Sequence, residues 1–202
     1  MLADLGYPTV TIAYRNDRDA PGGASDVYCY GTTEWRDLEA AVDHALANGA
    51  RDVVLVGFSM GAGLVVNMLA LSERAGAVRG AVLDAPLLDL RGTVEANLRD
   101  AGILGFLTWL PLWITERRYG VGFGSIELVD RLGAVRAPVL LFHGSEDDTV
   151  SVALSDEIAA RLGGLVTYER FEGAHHARSW NVDRARYESA VRAFLGGLAA
   201  GR

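Results

Sequence analysis

The chain has 202 residues, 50% of them hydrophobic, which suits one domain with a substantial core. Its formal net charge of −7 excludes the clustered basic surface that nucleic acid requires, and its single cysteine, Cys29, excludes an internal disulfide framework and any multi-cysteine zinc site. Charges of both signs are interspersed, so the acidic balance bears on solubility rather than on a partner.

In chain order, Met1 to Leu5 reads as the last turn of a helix stopped by Gly6, without the basic segment and long apolar run of a signal peptide. Residues 9–14, rich in β-branched and aromatic side chains, predict a strand. Residues 15–31 form a loop around Asn16-Asp17, Pro21-Gly22-Gly23 and Gly31. Thr33 is placed to cap a helix in which Trp35, Leu38, Val42, Ala45 and Leu46 keep helical spacing until Asn48-Gly49. Val53 to Val56 is a short apolar strand, followed at once by Gly57-Phe58-Ser59-Met60-Gly61 and then by an apolar helix over 64–71. Ala81-Val82-Leu83 is a further strand, ending at Asp84-Ala85-Pro86.

Residues 87–135 are less regular and collect Phe106, Trp109, Trp113 and Phe123. The longest apolar stretch, 103–114, is interrupted by Gly105, Thr108 and Pro111 and falls short of the ~20 residues that a membrane span takes. Residues 139–142 make a strand ending at His143-Gly144, 151–162 an amphipathic helix, and 165–171 the last strand. Tyr187, Val191, Phe194 and Leu195 mark a final helix. This alternation predicts an α/β fold, a mostly parallel sheet with helices on both faces, in a single domain over residues 1–202.

The chemistry concentrates around Ser59. Strand, Gly-x-Ser-x-Gly and helix, in that order, form the context of a nucleophile elbow, a turn that lifts the serine hydroxyl above the sheet. The turn is tight enough that Gly57 and Gly61 are both expected for steric reasons. The helix N-terminus and the Met60 N–H favour developing negative charge, which makes Met60 the candidate oxyanion-hole donor. A serine hydroxyl is a weak nucleophile at neutral pH, so it needs a base, and the base needs an orienting carboxylate. Both belong on loops that leave the same edge of the sheet. Two loops qualify: His143-Gly144-Ser145-Glu146-Asp147-Asp148-Thr149-Val150, and Glu172-Gly173-Ala174-His175-His176. The order is then serine, acid, histidine. Glu146, Asp147 and Asp148 compete for the acid, and His175 and His176 for the base. Asp84, an alternative acid at a strand end, reads more simply as a turn cap before Pro86. Neighbouring histidines such as His175 and His176 rarely converge on one ion without further ligands, so neither a metal nor a cofactor is expected.

These motifs resemble those of α/β-hydrolases of the serine-hydrolase type, near the esterase, dienelactone-hydrolase and prolyl-oligopeptidase-like groups. Gly57-Phe58-Ser59-Met60-Gly61 matches that family's elbow. His143-Gly144-Ser145-Glu146-Asp147 matches its His-Gly-x-x-Asp loop, which implies Asp147 as the acid. Gly173-Ala174-His175-His176 resembles its Gly-Ala-x-His, which implies His176 as the base. Arg178-Ser179-Trp180-Asn181, followed by Tyr187, resembles a bacterial subset of the family. The resemblance implies a Ser59–His176–Asp147 triad that cleaves a small-molecule carboxylic ester through an acyl-enzyme. It also implies a helical lid over 93–124, in which Leu104, Phe106, Leu107, Trp109, Leu110, Trp113 and Ile114 would line a pocket for a hydrophobic acyl or alkyl group. Thioester and peptide bonds are alternatives for the same triad; a catalytically impaired or purely binding domain is the alternative class.

In the family's strand order, 1-2-4-3-5-6-7-8, residues 10–14 would form the fourth strand. The third, its neighbour, would be missing, together with the His-Gly-rich loop that donates the second oxyanion hydrogen bond. The resemblance therefore implies an N-terminally shortened chain, and the expected location is cytoplasmic.

Overall fold

The computed structural model describes residues 1–18, 20, 22, 27–120, 122 and 127–200. Among them, β1 (Val53–Phe58), β2 (Val78–Asp84), β3 (Val139–Gly144) and β4 (Val166–Phe171) form one parallel sheet in the order β1-β2-β3-β4. Helix α1 (Trp35–Ala47) precedes β1, and α2 (Met60–Leu71) joins β1 to β2. Helices α3 (Leu90–Asp100) and α4 (Trp109–Tyr119) lie between β2 and β3, and α5 (Val152–Leu162) joins β3 to β4. A short α6 (Ser179–Val182) and a long α7 (Arg184–Ala200) complete the described chain.

The central strands β2 and β3 are buried on both faces, which is why residues 81–83 and 139–142 read as unbroken apolar runs. Ala81 and Leu83 of β2, with Val139 and Leu141 of β3, pack on one side against α1, α2 and α5 through Val42, Val65 and Ile158. Val82, Leu140 and Phe142 face the other side, where Tyr187, Val191 and Leu195 of α7 cover them. Phe142 stacks on Tyr187 with ring centroids 4.0 Å apart. Helix α2 is buried from Ala62 through Leu69, which explains a sequence without a polar stripe. Because the strands run parallel, their C-terminal ends share one rim, and Ser59, Asp84 and the loops after Gly144 and Phe171 all leave there.

Four expectations need correction. Residues 9–14 take no regular strand, and Val10 is 62% exposed. A β-branched run becomes a strand only where a neighbouring ladder pairs it, and none does here. Among the described residues β1 accordingly pairs with β2 alone, and an apolar groove of about 290 Å³ runs beside it, lined by Val56, Phe58, Leu2, Trp180 and Val191. Thr33 does not cap α1. Glu34 occupies that position, and its fully buried side chain turns back to accept the N–H groups of Cys29 (2.5 Å), Gly31 (2.9 Å) and Thr33 (3.3 Å). Those donors would otherwise lack a protein partner in a half-buried loop. β2 runs from Val78 to Asp84 rather than over three residues, and the irregular region contains α3 and α4. Phe123, with Pro21 and Gly23, lies outside the described residues. No described helix is long and apolar enough to cross a membrane.

Candidate active site

The rim is built from backbone held in unusual conformations. Ser59 has φ 49° and ψ −118°, sparsely populated for a residue with a side chain. Among the described residues, five non-glycine positions have positive φ, and three of them, Ser59, Ala85 and Ala177, follow directly on β1, β2 and His176. The Ser59 turn is fixed from both sides. Its N–H donates to the Asp84 carbonyl (2.9 Å), and its carbonyl accepts from Ala62 N (3.0 Å) and Leu87 N (3.2 Å). A β-carbon on Gly57 would lie 2.6 Å from the Gly61 carbonyl oxygen, whereas one on Gly61 would meet nothing within 4 Å. The steric demand therefore falls on Gly57 alone, because the close approach is to the Gly61 backbone rather than to its Cα substituent. Met60 opens α2, so its N–H belongs to the first turn, whose donors have no partner inside the helix.

The loops after β3 and β4 meet backbone to backbone. A β-carbon on Gly144 would stand 2.0 Å from the Ala174 carbonyl oxygen, and Glu146 N donates to that same oxygen at 3.0 Å. Ser145 N bonds the Phe171 carbonyl (2.9 Å), while the Ser145 hydroxyl accepts from Gly173 N (2.9 Å). This contact brings the Asp147 and His176 side chains together. His176 Nδ1 lies 2.8 Å from Asp147 Oδ2 and 3.1 Å from Oδ1, and Nε2 lies 2.8 Å from Ser59 Oγ. With the carboxylate as acceptor, Nδ1 carries the hydrogen and Nε2 presents a lone pair to the serine hydroxyl.

The Asp147 side chain is completely buried, whereas His176 keeps 22% of its side chain exposed. Burial alone would push the Asp147 carboxyl upward. Hydrogen bonds from His143, His176 and the N–H groups of Val150 and Thr149 outweigh it and hold the carboxyl well below the usual carboxylate range. His143 is itself buried. Its Nε2 faces two acceptors, the Val150 carbonyl (3.0 Å) and Asp147 Oδ2 (3.1 Å), so Nε2 carries the hydrogen and Nδ1 accepts from the Ser155 hydroxyl (2.6 Å). His175 points the other way, 62% exposed, with the exposed carboxylates of Glu146 and Asp148 3.9 Å from its ring.

Asp84 does not cap the turn before Pro86. It is buried, and its Oδ1 accepts from the hydroxyl of Ser179, 95 residues away, at 3.3 Å. Burial pushes its carboxyl up to about 6, against the Ser179 hydroxyl and the Tyr187 phenol, which favour the charged form. Nothing local in the sequence signals this contact.

Above the rim, Leu112 of α4 shares a buried cluster with Leu87, Leu90 and Val150. The cluster ties α4 to the segment whose Leu87 N–H holds Ser59. Leu104, Phe106 and Leu107 before α4, and Trp109, Leu110, Trp113 and Ile114 on it, are all exposed rather than enclosed; α4 turns its Leu112 side inward. Between α3 and the Asp147 loop lies a cleft of about 550 Å³ whose wall includes Asp89, Asp100, Asp148 and Glu157.

The profile described as the alpha/beta hydrolase family matches residues 2–190. The chain belongs to that family. An uncharacterized protein of Mycobacterium tuberculosis is 28% identical over 198 residues, which is 96% of this chain and 62% of the relative's length. The chain thus spans less than two thirds of that relative. Among solved structures, an esterase from Rhodococcus sp. ECU1013 superposes with a TM-score of 0.65 at 22% identity, covering 98% of this chain and 84% of the other. An esterase from Pyrococcus furiosus gives 0.65 at 23% identity, with 89% and 67% covered. The Exiguobacterium antarcticum esterase gives 0.62 at 16% identity, with 91% and 79% covered. At these identities the shared property is the fold.

Proposed function

We propose that this member of the family is a serine hydrolase that cleaves carboxylic esters, with Ser59 as nucleophile, His176 as general base and Asp147 as the orienting acid. The observation that carries the reading is the continuous chain of contacts from Ser59 Oγ to His176 Nε2 (2.8 Å) and from His176 Nδ1 to Asp147 Oδ2 (2.8 Å). That solved structures of similar fold are named esterases supports the reaction class.

On this reading the reaction runs through two half-reactions. Ser59 Oγ attacks the ester carbonyl carbon as its proton passes to His176 Nε2, and the charged Asp147 stabilises the imidazolium. The Met60 N–H donates to the oxyanion of the tetrahedral intermediate. As the intermediate collapses, the ester C–O bond breaks and the alcohol leaves with the proton from Nε2, so that an acyl-Ser59 remains. Water attacks it, His176 accepts the water's proton, and the acid departs as that proton returns to Ser59 Oγ. Residues 93–124 serve as a lid whose apolar side chains receive the acyl or alkyl group. The acidic wall between α3 and the Asp147 loop disfavours anionic substrates.

Ser59→Ala and His176→Ala are expected to lower p-nitrophenyl ester turnover by ~10⁴–10⁶-fold. Ser59→Ala should also abolish labelling by a fluorophosphonate probe. Unchanged turnover in either purified, folded variant removes that residue from the scheme.

A further inference from the structure

Asp84 ends β2 with its side chain directed into the protein, 1% exposed. Its backbone carbonyl accepts the Ser59 N–H (2.9 Å), and its Oδ1 accepts the Ser179 hydroxyl (3.3 Å). Ser179 opens α6, three positions beyond His176. A single residue therefore grips both the turn that carries Ser59 and the segment that carries His176. The other carboxyl oxygen, Oδ2, is buried without a hydrogen-bond partner. The Tyr187 phenol of α7 interacts with the carboxyl and favours its charged form. The titratable groups that face Asp84 are Tyr187 from α7, His143 from β3 and His176 from the loop before α6.

A half-satisfied buried carboxylate weakens a fold, because desolvation disfavours its charge and an unpaired oxygen has lost its water. Packing alone would be served as well or better by an uncharged side chain of the same shape. What the charge supplies is an attraction for positive charge on the imidazoles that face it, His143 and His176. Building on the serine-hydrolase reading, we propose that Asp84 is a positioning residue: it ties the His176 segment to the Ser59 turn, and its ionised form favours the imidazolium that arises when Ser59 gives up its proton. The Asp84 carboxylate is charged at neutral pH and fills with protons as the pH drops below about 6, so its contribution fades toward pH 5.

The test measures the fluorophosphonate labelling rate of Ser59 and the Tm across pH 5–9 in wild type, Asp84→Asn, Ser179→Ala and Ser59→Ala. Asp84→Asn is expected to label about tenfold more slowly above pH 6, the order of effect of one charge acting across a partly buried site, with the gap narrowing toward pH 5. Its Tm above pH 6 is expected to match or exceed that of wild type. Ser179→Ala loses the tie together with a donor that favours the charged form, so its rate falls at high pH and its further loss on acidification begins at a higher pH than in wild type. A merely structural Asp84 would lower Tm and rate together, and that result overturns the proposal. Equal rates for wild type and Asp84→Asn at pH 8 overturn it as well, while leaving the Ser59 reading intact. A wild type that labels no more than Ser59→Ala removes both.

Discussion

A β-carbon at position 57 would stand 2.6 Å from a carbonyl oxygen, whereas one at position 61 would stand in open space. The two glycines of the Ser59 turn are therefore not equivalent, although the motif contains both. Gly57→Ala must force β1 and the start of α2 apart, destabilising the protein by ~1–3 kcal/mol or more and displacing Ser59. Gly61→Ala adds a methyl group inside a helix and is expected to be neutral or stabilising by up to ~1 kcal/mol. Paired thermal melts and Ser59 labelling rates measure both effects; a Gly57→Ala protein as stable as wild type would contradict the contact. At this scale Ser59 is legible in the sequence, because a strand, a tight turn and a helix are consecutive and their patterns are local. Asp84 is not legible, because its partner lies 95 residues away and an aspartate before Ala-Pro looks like an ordinary turn former.

At the scale of elements, the loops after β3 and β4 show what motif spacing encodes. Gly144 has no room for a side chain because the Ala174 carbonyl oxygen occupies that space. The small residues of the His-Gly and Gly-Ala motifs thus permit the backbone contact from which Asp147 and His176 converge. Residues 9–14 show the converse limit, since strand propensity read from composition has no effect without a partner ladder. Helices α3 and α4 belong to the same scale. Among the described side chains Leu112 anchors α4 in the cluster with Leu87, Leu90 and Val150, and Trp109, Leu110, Trp113 and Ile114 stay exposed, where the proposed lid role would have them meet a substrate. A buried methylene is worth ~0.8 kcal/mol, so kcat/KM for p-nitrophenyl esters should rise roughly two- to fourfold per methylene from acetate to hexanoate. A flat dependence on acyl length would remove the lid from substrate recognition.

Across the whole molecule, the parallel sheet brings residues 59, 84, 147 and 176 to one rim, and with them two buried carboxylates whose titrations pull in opposite directions. Asp147 is held below its ordinary value, so the stability it contributes is fully present above ~4, the unfolded-state value, and is lost as the pH falls through that value toward its own. Asp84 is held up to about 6, so the stability gained from its bound proton is fully present below ~4 and is lost as the pH rises through about 6. Acidification from neutrality should therefore stabilise the protein through Asp84 before it destabilises it through Asp147, and these two groups place a stability maximum at about pH 4–6. Urea unfolding of wild type, Asp84→Asn and Asp147→Asn between pH 3 and 8 separates the two contributions. Asp84→Asn should be at least as stable as wild type at pH 8 and converge with it near pH 4. Asp147→Asn strips the charge that four hydrogen bonds serve, and should be ~1–3 kcal/mol less stable at pH 7, with the gap closing below pH 4. If the Asp147→Asn deficit is the same at pH 3 as at pH 7, the loss comes from packing, and the carboxylate is not what holds that loop in place.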